Sequence, residues 1–338
     1  MAFGFRRVHR RAFLRVGFAA VGLAVTMTAS GATTASALPP AAGDSAASIV
    51  ITEQATDRIL VLASDRESFE NATIRWQWRP SAANGLDDLA SSWGLPDEAK
   101  LRYRDGKPYL LTTDSYGLLA VVAYPEGTPY WATSLGRGPN PHSMELLPDG
   151  NVAVVASTGG WLRIYTASQG PRSSTYVEVD LHDAHGVYWD AERALLWALG
   201  GQDLVAYRLG GTPDAPTLTE VRRTALPTPY GHDLTPVAAD PDRLWITTGS
   251  QVYQYSVSAD TFTQDYRGAK KINRNAVKSV GDDAESGQVL TTYVQTGNLC
   301  TWCTDTVTLY NRTERLTLHG SQIYKARWWH APPPETTN

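Results

Sequence analysis

Cysteine is almost missing from this chain. Only Cys300 and Cys303 occur among 338 residues, in LCTWCTD. A lone Cys-x-x-Cys with no second pair argues against a zinc site, and no βαβ context supports a thioredoxin-like one. In an exported chain the pair reads as a local disulfide. Helical periodicity is nearly absent too, which leaves an all-β fold. Beyond residue 29 no apolar run is long enough to cross a bilayer. Basic residues are short in the body. Residues 1–37 hold five Arg and no Asp or Glu, so 25 basic face 34 acidic residues beyond them, a net charge of −9. That acidity argues against nucleic-acid partners and anionic membranes. Also lacking are a Gly-x-Ser-x-Gly elbow, a phosphate-cradling glycine loop and a His-Glu-x-x-His helix.

The N-terminus has its own logic. Arg6, Arg7, Arg10, Arg11 and Arg15 precede an apolar run from Val16 to about Ala29, and Ala35-Ser36-Ala37 ends it. Basic, apolar, then small is the order of a secretion signal, and HRRAFLR (9–15) has the form of a twin-arginine one. Residues 1–37 are therefore expected to be the signal and the protein to be secreted. Residues 38–48 (LPPAAGDSAAS) read as a disordered leader, 49–330 as one domain, and 331–338 (APPPETTN) as a flexible tail.

Short runs of Val, Leu, Ile, Thr, Tyr and Trp alternate with Gly, Pro, Asp and Asn turns. Three stretches match each other: PHSMELLPDGNVAVVAS (141–157), AHGVYWDAERALLWALG (184–200) and GHDLTPVAADPDRLWITTG (231–249). Each places His second, then an apolar strand, an Asp-containing turn and another apolar strand. Third and fourth strands follow each. AKLRYRDGKPYLLTTD (99–114) and VKSVGDDAESGQVLTTYV (277–294) are weaker copies with Lys in the His position. YKARWW (324–329) is a first strand with nothing behind it, whereas residues 49–78 supply second, third and fourth strands with no first. Joining the two ends gives a six-bladed β-propeller with no free sheet edge, expected to be a monomer. The alternative is seven blades, with further strands hidden in 79–97.

Lys100, His142, His185, His232, Lys278 and Lys325 are separated by 42, 43, 47, 46 and 47 residues, a blade-length period. First strands line a propeller's axis, so these six side chains are expected to ring one mouth of the channel. His142, His185 and His232 are candidate ligands for a divalent metal. Lys100, Lys278 and Lys325 are candidate catalytic cations. With Arg102 and Arg327 they would form a positive cup for an anionic ligand. Glu145 and Asp233 are candidates to orient an imidazole or a sugar hydroxyl. A purely structural girdle, and a ligand site without metal, are the competing readings.

PHSMELLPDG, AHGVYWD, GHDLTPV, VKSV and YKARWW, with the opening IVITEQATDRILVL, resemble a family of secreted actinomycete proteins, domain of unknown function 6528. The resemblance covers nearly the whole mature chain. It implies a secreted propeller and brings no activity with it. A more distant, architectural likeness is to oligogalacturonate lyases, propellers that hold a metal through channel-mouth histidines and cleave uronic-acid polymers. The expected function is accordingly an extracellular protein acting on an anionic carbohydrate by β-elimination. The alternative is a non-catalytic protein that binds an anionic glycan or a protein.

Overall fold

The computed structural model describes residues 47–331. The expected signal, most of the leader and nearly all of the tail lie outside the described residues. Among the described residues no helix is long and apolar enough to cross a membrane.

Six four-stranded antiparallel sheets make up the fold. Blade 2 runs outward through Pro96–Arg104, Lys107–Asp114, Leu118–Ala123 and Pro129–Ser134. The innermost strands of blades 3 to 6 are Pro141–Leu146, Gly186–Asp190, Asp233–Val237 and Val277–Asp282. Blade 1 is built from both ends of the chain. Its inner strand is Ile323–Trp329, and Ser48–Glu53, Arg58–Ala63 and Ile74–Trp78 follow outward. The closing register pairs Ile49 with Trp328, Val50 with Arg327 and Ile51 with Ala326. Each inner strand touches the next, and the contact between Ile323–Trp329 and Pro96–Arg104 completes the circle. The seven-bladed alternative does not hold. Residues 79–95 form a connection with two 3-10 turns, Ala82–Asn84 and Asp87–Ser92.

Apolar side chains meet between blades, not within them. One cluster joins Val50, Ile59 and Val61 of blade 1 to Leu110, Leu118 and Ala120 of blade 2. Another joins Leu60 and Leu62 of blade 1 to Leu290, Val307 and Leu309 of blade 6. Each such side chain contributes about 1.5–3 kcal/mol on leaving water. Middle strands covered on both faces, such as Val152–Ala156, are buried at every position. The outer strand Tyr176–Asp180 alternates between exposed and half-buried residues, as a sheet edge facing solvent should. At Gly186 the inner strands of blades 4 and 5 come so close that a Cβ would stand 2.6 Å from Leu234 Cβ. Only glycine fits directly after His185.

Candidate functional site

A β-bulge sets the channel mouth. Pairing between the first and second strands slips at Asp97, at His142 and at Lys278, and the same irregularity spans Tyr324 and Lys325. A bulge turns the extra residue toward the same side as its neighbour. His185 and His232 take the equivalent place, with their N–H groups donating to Leu199 and Thr247 carbonyls at 2.8 Å. The ring is therefore Asp97, His142, His185, His232, Lys278 and Tyr324. The expected ring is corrected at two places: Asp97 replaces Lys100 and Tyr324 replaces Lys325. The separations become 45, 43, 47, 46 and 46 residues, more even than before.

Neighbours in this ring touch. His142 Nδ1 lies 3.7 Å from Asp97 Oδ1. His142 and His185 stack with centroids 4.3 Å apart, and His185 and His232 are 5.0 Å apart. Lys278 Nζ is 3.3 Å from His232 Nε2 and 5.6 Å from the Tyr324 ring centroid. The Tyr324 hydroxyl is 2.9 Å from His232 Nε2 and 3.4 Å from His142 Nδ1.

The partners assign the imidazole protons. Lys278 can only donate when charged, so Nε2 of His232 accepts and its Nδ1 carries hydrogen. That Nδ1 is buried with no partner. The Asn140 amide approaches His142 Nε2 at 3.0 Å, which leaves the His142 proton on Nδ1, facing Tyr324. His185 Nδ1 donates to the Asp183 carbonyl at 2.8 Å. Its Nε2 has no protein partner among the described residues and remains a free base. Protons are thus ordered from His142 through the Tyr324 hydroxyl to His232.

Burial dominates the acid–base character. It pushes His142 and His232 well below the usual imidazole range, helped by the neighbouring His185 and Lys278 respectively. His185 is also lowered by burial, opposed by its hydrogen bond to Asp183. All three rings are neutral bases at pH 7. Burial and then Lys325 bring Lys278 down to about 8. Tyr324 is pushed well above 10 by burial and the carboxylates around it, so its hydroxyl keeps its proton.

Below the mouth the channel is plugged by ion pairs. Arg327 grips Asp233 at 2.6 and 2.5 Å and Glu98 at 3.1 and 3.0 Å. Lys325 Nζ lies 3.3 Å from Glu98 and 3.5 Å from Asp233. Lys100 donates to Ser143 Oγ at 2.8 Å and to the Val187 carbonyl at 2.7 Å, with Glu145 3.8 Å away. Arg102 holds Glu145 bidentately at 2.5 and 2.7 Å. Burial raises Glu98, but Arg327, Lys325 and Lys100 outweigh it and hold this carboxyl below its usual range. Burial lowers Lys100 to about 8 against the pull of Glu98 and Glu145.

The expected positive cup is corrected by this plug. Lys100, Lys325, Arg102 and Arg327 are paired with Glu98, Glu145 and Asp233, which offset most of their charge, because like charges buried together need counter-charges. Lys100 and Lys325 are 3% and 1% exposed, so neither is free to act. Glu145 and Asp233 are spent on arginines, and among the described residues neither pairs with an imidazole. Of the three candidate catalytic lysines, Lys278 alone has no carboxylate within 4 Å among the described residues.

The metal expectation is corrected as well. His142, His185 and His232 are brought together, but as stacked rings. Both nitrogens of His142 and Nε2 of His232 are committed to protein partners. No set of three His, Cys, Asp or Glu among the described residues could hold a metal ion.

The mouth opens into a cavity of about 240 Å³ lined by Asp97, Asn140, His142, Lys278, Trp302 and Tyr324. Cys300 and Cys303 are joined by a disulfide in the loop that carries Trp302. At the other end of the inner strands a cavity of about 350 Å³ is lined by Arg102, Arg327 and Trp328 among others. Sequence reasoning missed Tyr324, Asp97 and Glu98. Tyr324 and Glu98 carried a usable signal: each adjoins or alternates with a cation already singled out.

The fold and the mouth define a six-bladed β-propeller with an ion-paired plug beneath an imidazole ring. The chain belongs to the family described as "Family of unknown function (DUF6528)", whose profile matches residues 17–331. No curated protein matches the chain. Among solved structures it is similar to selenomethionine-substituted virginiamycin B lyase from Staphylococcus aureus. The identity is 13%, covering 69% of this chain and 70% of that one, with a TM-score of 0.40.

Proposed function

We propose that this protein is an exported acid–base enzyme that acts on a carboxylate-bearing carbohydrate at the imidazole mouth, by β-elimination. The observation that carries this reading is the Tyr324 hydroxyl held between His142 and His232 with Lys278 alongside. Elimination from a uronide needs charge relief at the carboxylate, a base for the adjacent C–H and an acid for the leaving oxygen. Lys278, without a carboxylate of its own, would take the substrate carboxylate. His185 Nε2, unclaimed by the protein, would remove the proton. The C–O bond then breaks, a C=C bond forms, and the leaving oxygen takes the Tyr324 proton. The neutral state of the rings supports this, since a protonated imidazole cannot act as a base.

A non-catalytic binding role is the second reading. It is favoured by the stacking of His142 on His185, which rigidifies the mouth for recognition. The test is to incubate the mature protein with uronic-acid oligosaccharides. Ultraviolet absorbance of the unsaturated product is followed, and binding is measured by calorimetry. Turnover that disappears in a folded His185→Ala variant is the expected result. Binding without turnover would move the protein to the second reading. Neither binding nor turnover across uronides of different linkage would sink both.

A further inference from the structure

We infer that Trp302 is a stacking platform for a sugar ring at the edge of the imidazole mouth, positioned by the Cys300–Cys303 disulfide. The inference rests on the carbohydrate reading above and extends it to the residue that recognises the ring.

Trp302 is 44% exposed, whereas Trp131, Trp197, Trp245 and Trp329 are fully buried. It belongs to none of the six inter-blade clusters, so packing does not account for it. Yet it lines the same cavity as His142, Lys278 and Tyr324. Its orientation is set on one edge. The indole Nε1–H donates to Gln54 Oε1 at 3.0 Å, and the Gln54 amide donates to the Pro96 carbonyl at 3.1 Å. The ring of a blade 6 loop is thereby tied to blades 1 and 2 across the rim.

The loop itself lies between the strands Val289–Tyr293 and Thr306–Tyr310 and has little regular structure. The disulfide closes it on either side of Thr301 and Trp302. Thr304 then anchors it to Ile323 through paired backbone hydrogen bonds of 3.0 and 2.7 Å. Ile323 begins the strand that carries Tyr324. The platform and the acid–base residue therefore share one support.

An indole whose edge is fixed and whose ring remains partly open suits the C–H face of a pyranose, through apolar contact and the ring quadrupole. Because the ring is already oriented, little side-chain freedom is lost on binding. Lys278 would read the carboxylate and Trp302 the ring. A carboxylate that lacks a ring would use the first contact only.

Calorimetry with two probes separates these contacts: glycolate, a carboxylate without a ring, and a uronic-acid trisaccharide. Trp302→Ala should weaken trisaccharide binding about 10-fold and leave glycolate binding unchanged. Trp302→Phe should restore most of the loss. Cys300→Ser/Cys303→Ser, with the indole present, should weaken the trisaccharide and spare glycolate. Wild-type trisaccharide affinity in Trp302→Ala would overturn the platform. Wild-type affinity in the disulfide-free variant alone would overturn the positioning role. Binding of neither probe by the wild type would instead remove the carbohydrate reading on which the inference stands.

Discussion

Tyr324 and His232 meet across the channel mouth, 2.9 Å from Oη to Nε2, although they lie 92 residues apart on blades 1 and 5. Tyr324 belongs to Ile323–Trp329, so the strand that closes the propeller also supplies the hydroxyl between His142 and His232. The hydroxyl is held in one direction, accepting from His142 Nδ1–H and pointing its own hydrogen at His232 Nε2. In the proposed elimination Tyr324 gives its proton to the leaving oxygen, and the proton that His185 has taken from the substrate restores the hydroxyl through solvent.

Tyr324→Phe should remove the hydroxyl and keep the ring. Turnover on a uronide is expected to fall about 100-fold, while KM changes little, since Lys278 still holds the carboxylate. His142 Nδ1 and His232 Nε2 each lose a partner, at a stability cost of about 1 kcal/mol. Steady-state kinetics beside a urea titration would separate the two effects. Equal losses in folding and turnover would assign Tyr324 a structural role only.

Lys278 gives the site its pH dependence. It is protonated below about pH 8, so affinity for an anionic ligand should be flat at lower pH and fall as pH rises through 8. Lys278→Met should bind weakly at every pH. The stability effect has the opposite sign. Between pH 8 and the unfolded value of 10.5 the unfolded chain binds more protons than the native one, so native stability rises with pH there. Lys278→Met should therefore be more stable than wild type at pH 7, by about 2 kcal/mol, with the advantage shrinking toward pH 10. Lys100 shares this window, so the comparison must be made against wild type. A variant that is less stable at pH 7 would contradict the assignment.

How far the site could be read in the sequence follows from what a repeat records. AHGVYWD and its relatives mark each first strand, and the incomplete YKARWW marks the missing one, so six blades and their closure were legible. Asp97 and Tyr324 were not legible, because Lys100 and Lys325 stand within three residues of them at nearly the same period and share the charge of Lys278. A bulge turns two successive residues inward and breaks the alternation that would have pointed to them. The plug was hidden for a different reason. Arg327 and Glu98 are 229 residues apart, and nothing local to either shows that they pair. Without that pairing the cations read as a positive cup.

Glu98→Gln should test the plug. Removing the charge leaves Arg327 and Lys325 to share Asp233, with fewer buried counter-charges. Stability is expected to fall by about 3–5 kcal/mol, measured by guanidinium unfolding at pH 7. Because the native Glu98 carboxyl is held below its unfolded value of 4.5, its contribution is fully present above pH 4.5. It is lost as pH falls through the native value. The variant should therefore show a shallower acid limb than wild type below pH 4.5. Parallel acid limbs with unchanged stability at pH 7 would mean that the Glu98 charge contributes no net stability.

Chelation should leave this protein unchanged. A metal held by three imidazoles needs one nitrogen from each, converging with a deprotonated lone pair. Here His142 and His185 lie face to face, with ring planes 14° apart. Stacked rings direct their in-plane lone pairs side by side instead of toward a common point. His232 Nε2 already accepts from Lys278, whose positive charge would repel a divalent cation at the same nitrogen. Purified without chelator, the protein should carry far less than one equivalent of any transition metal, and EDTA should not shift its Tm. Stoichiometric metal, lost from a folded His142→Ala/His185→Ala/His232→Ala variant, would show that the rings rearrange to bind it. It would also replace the Lys278 role in carboxylate recognition with a metal-centred one.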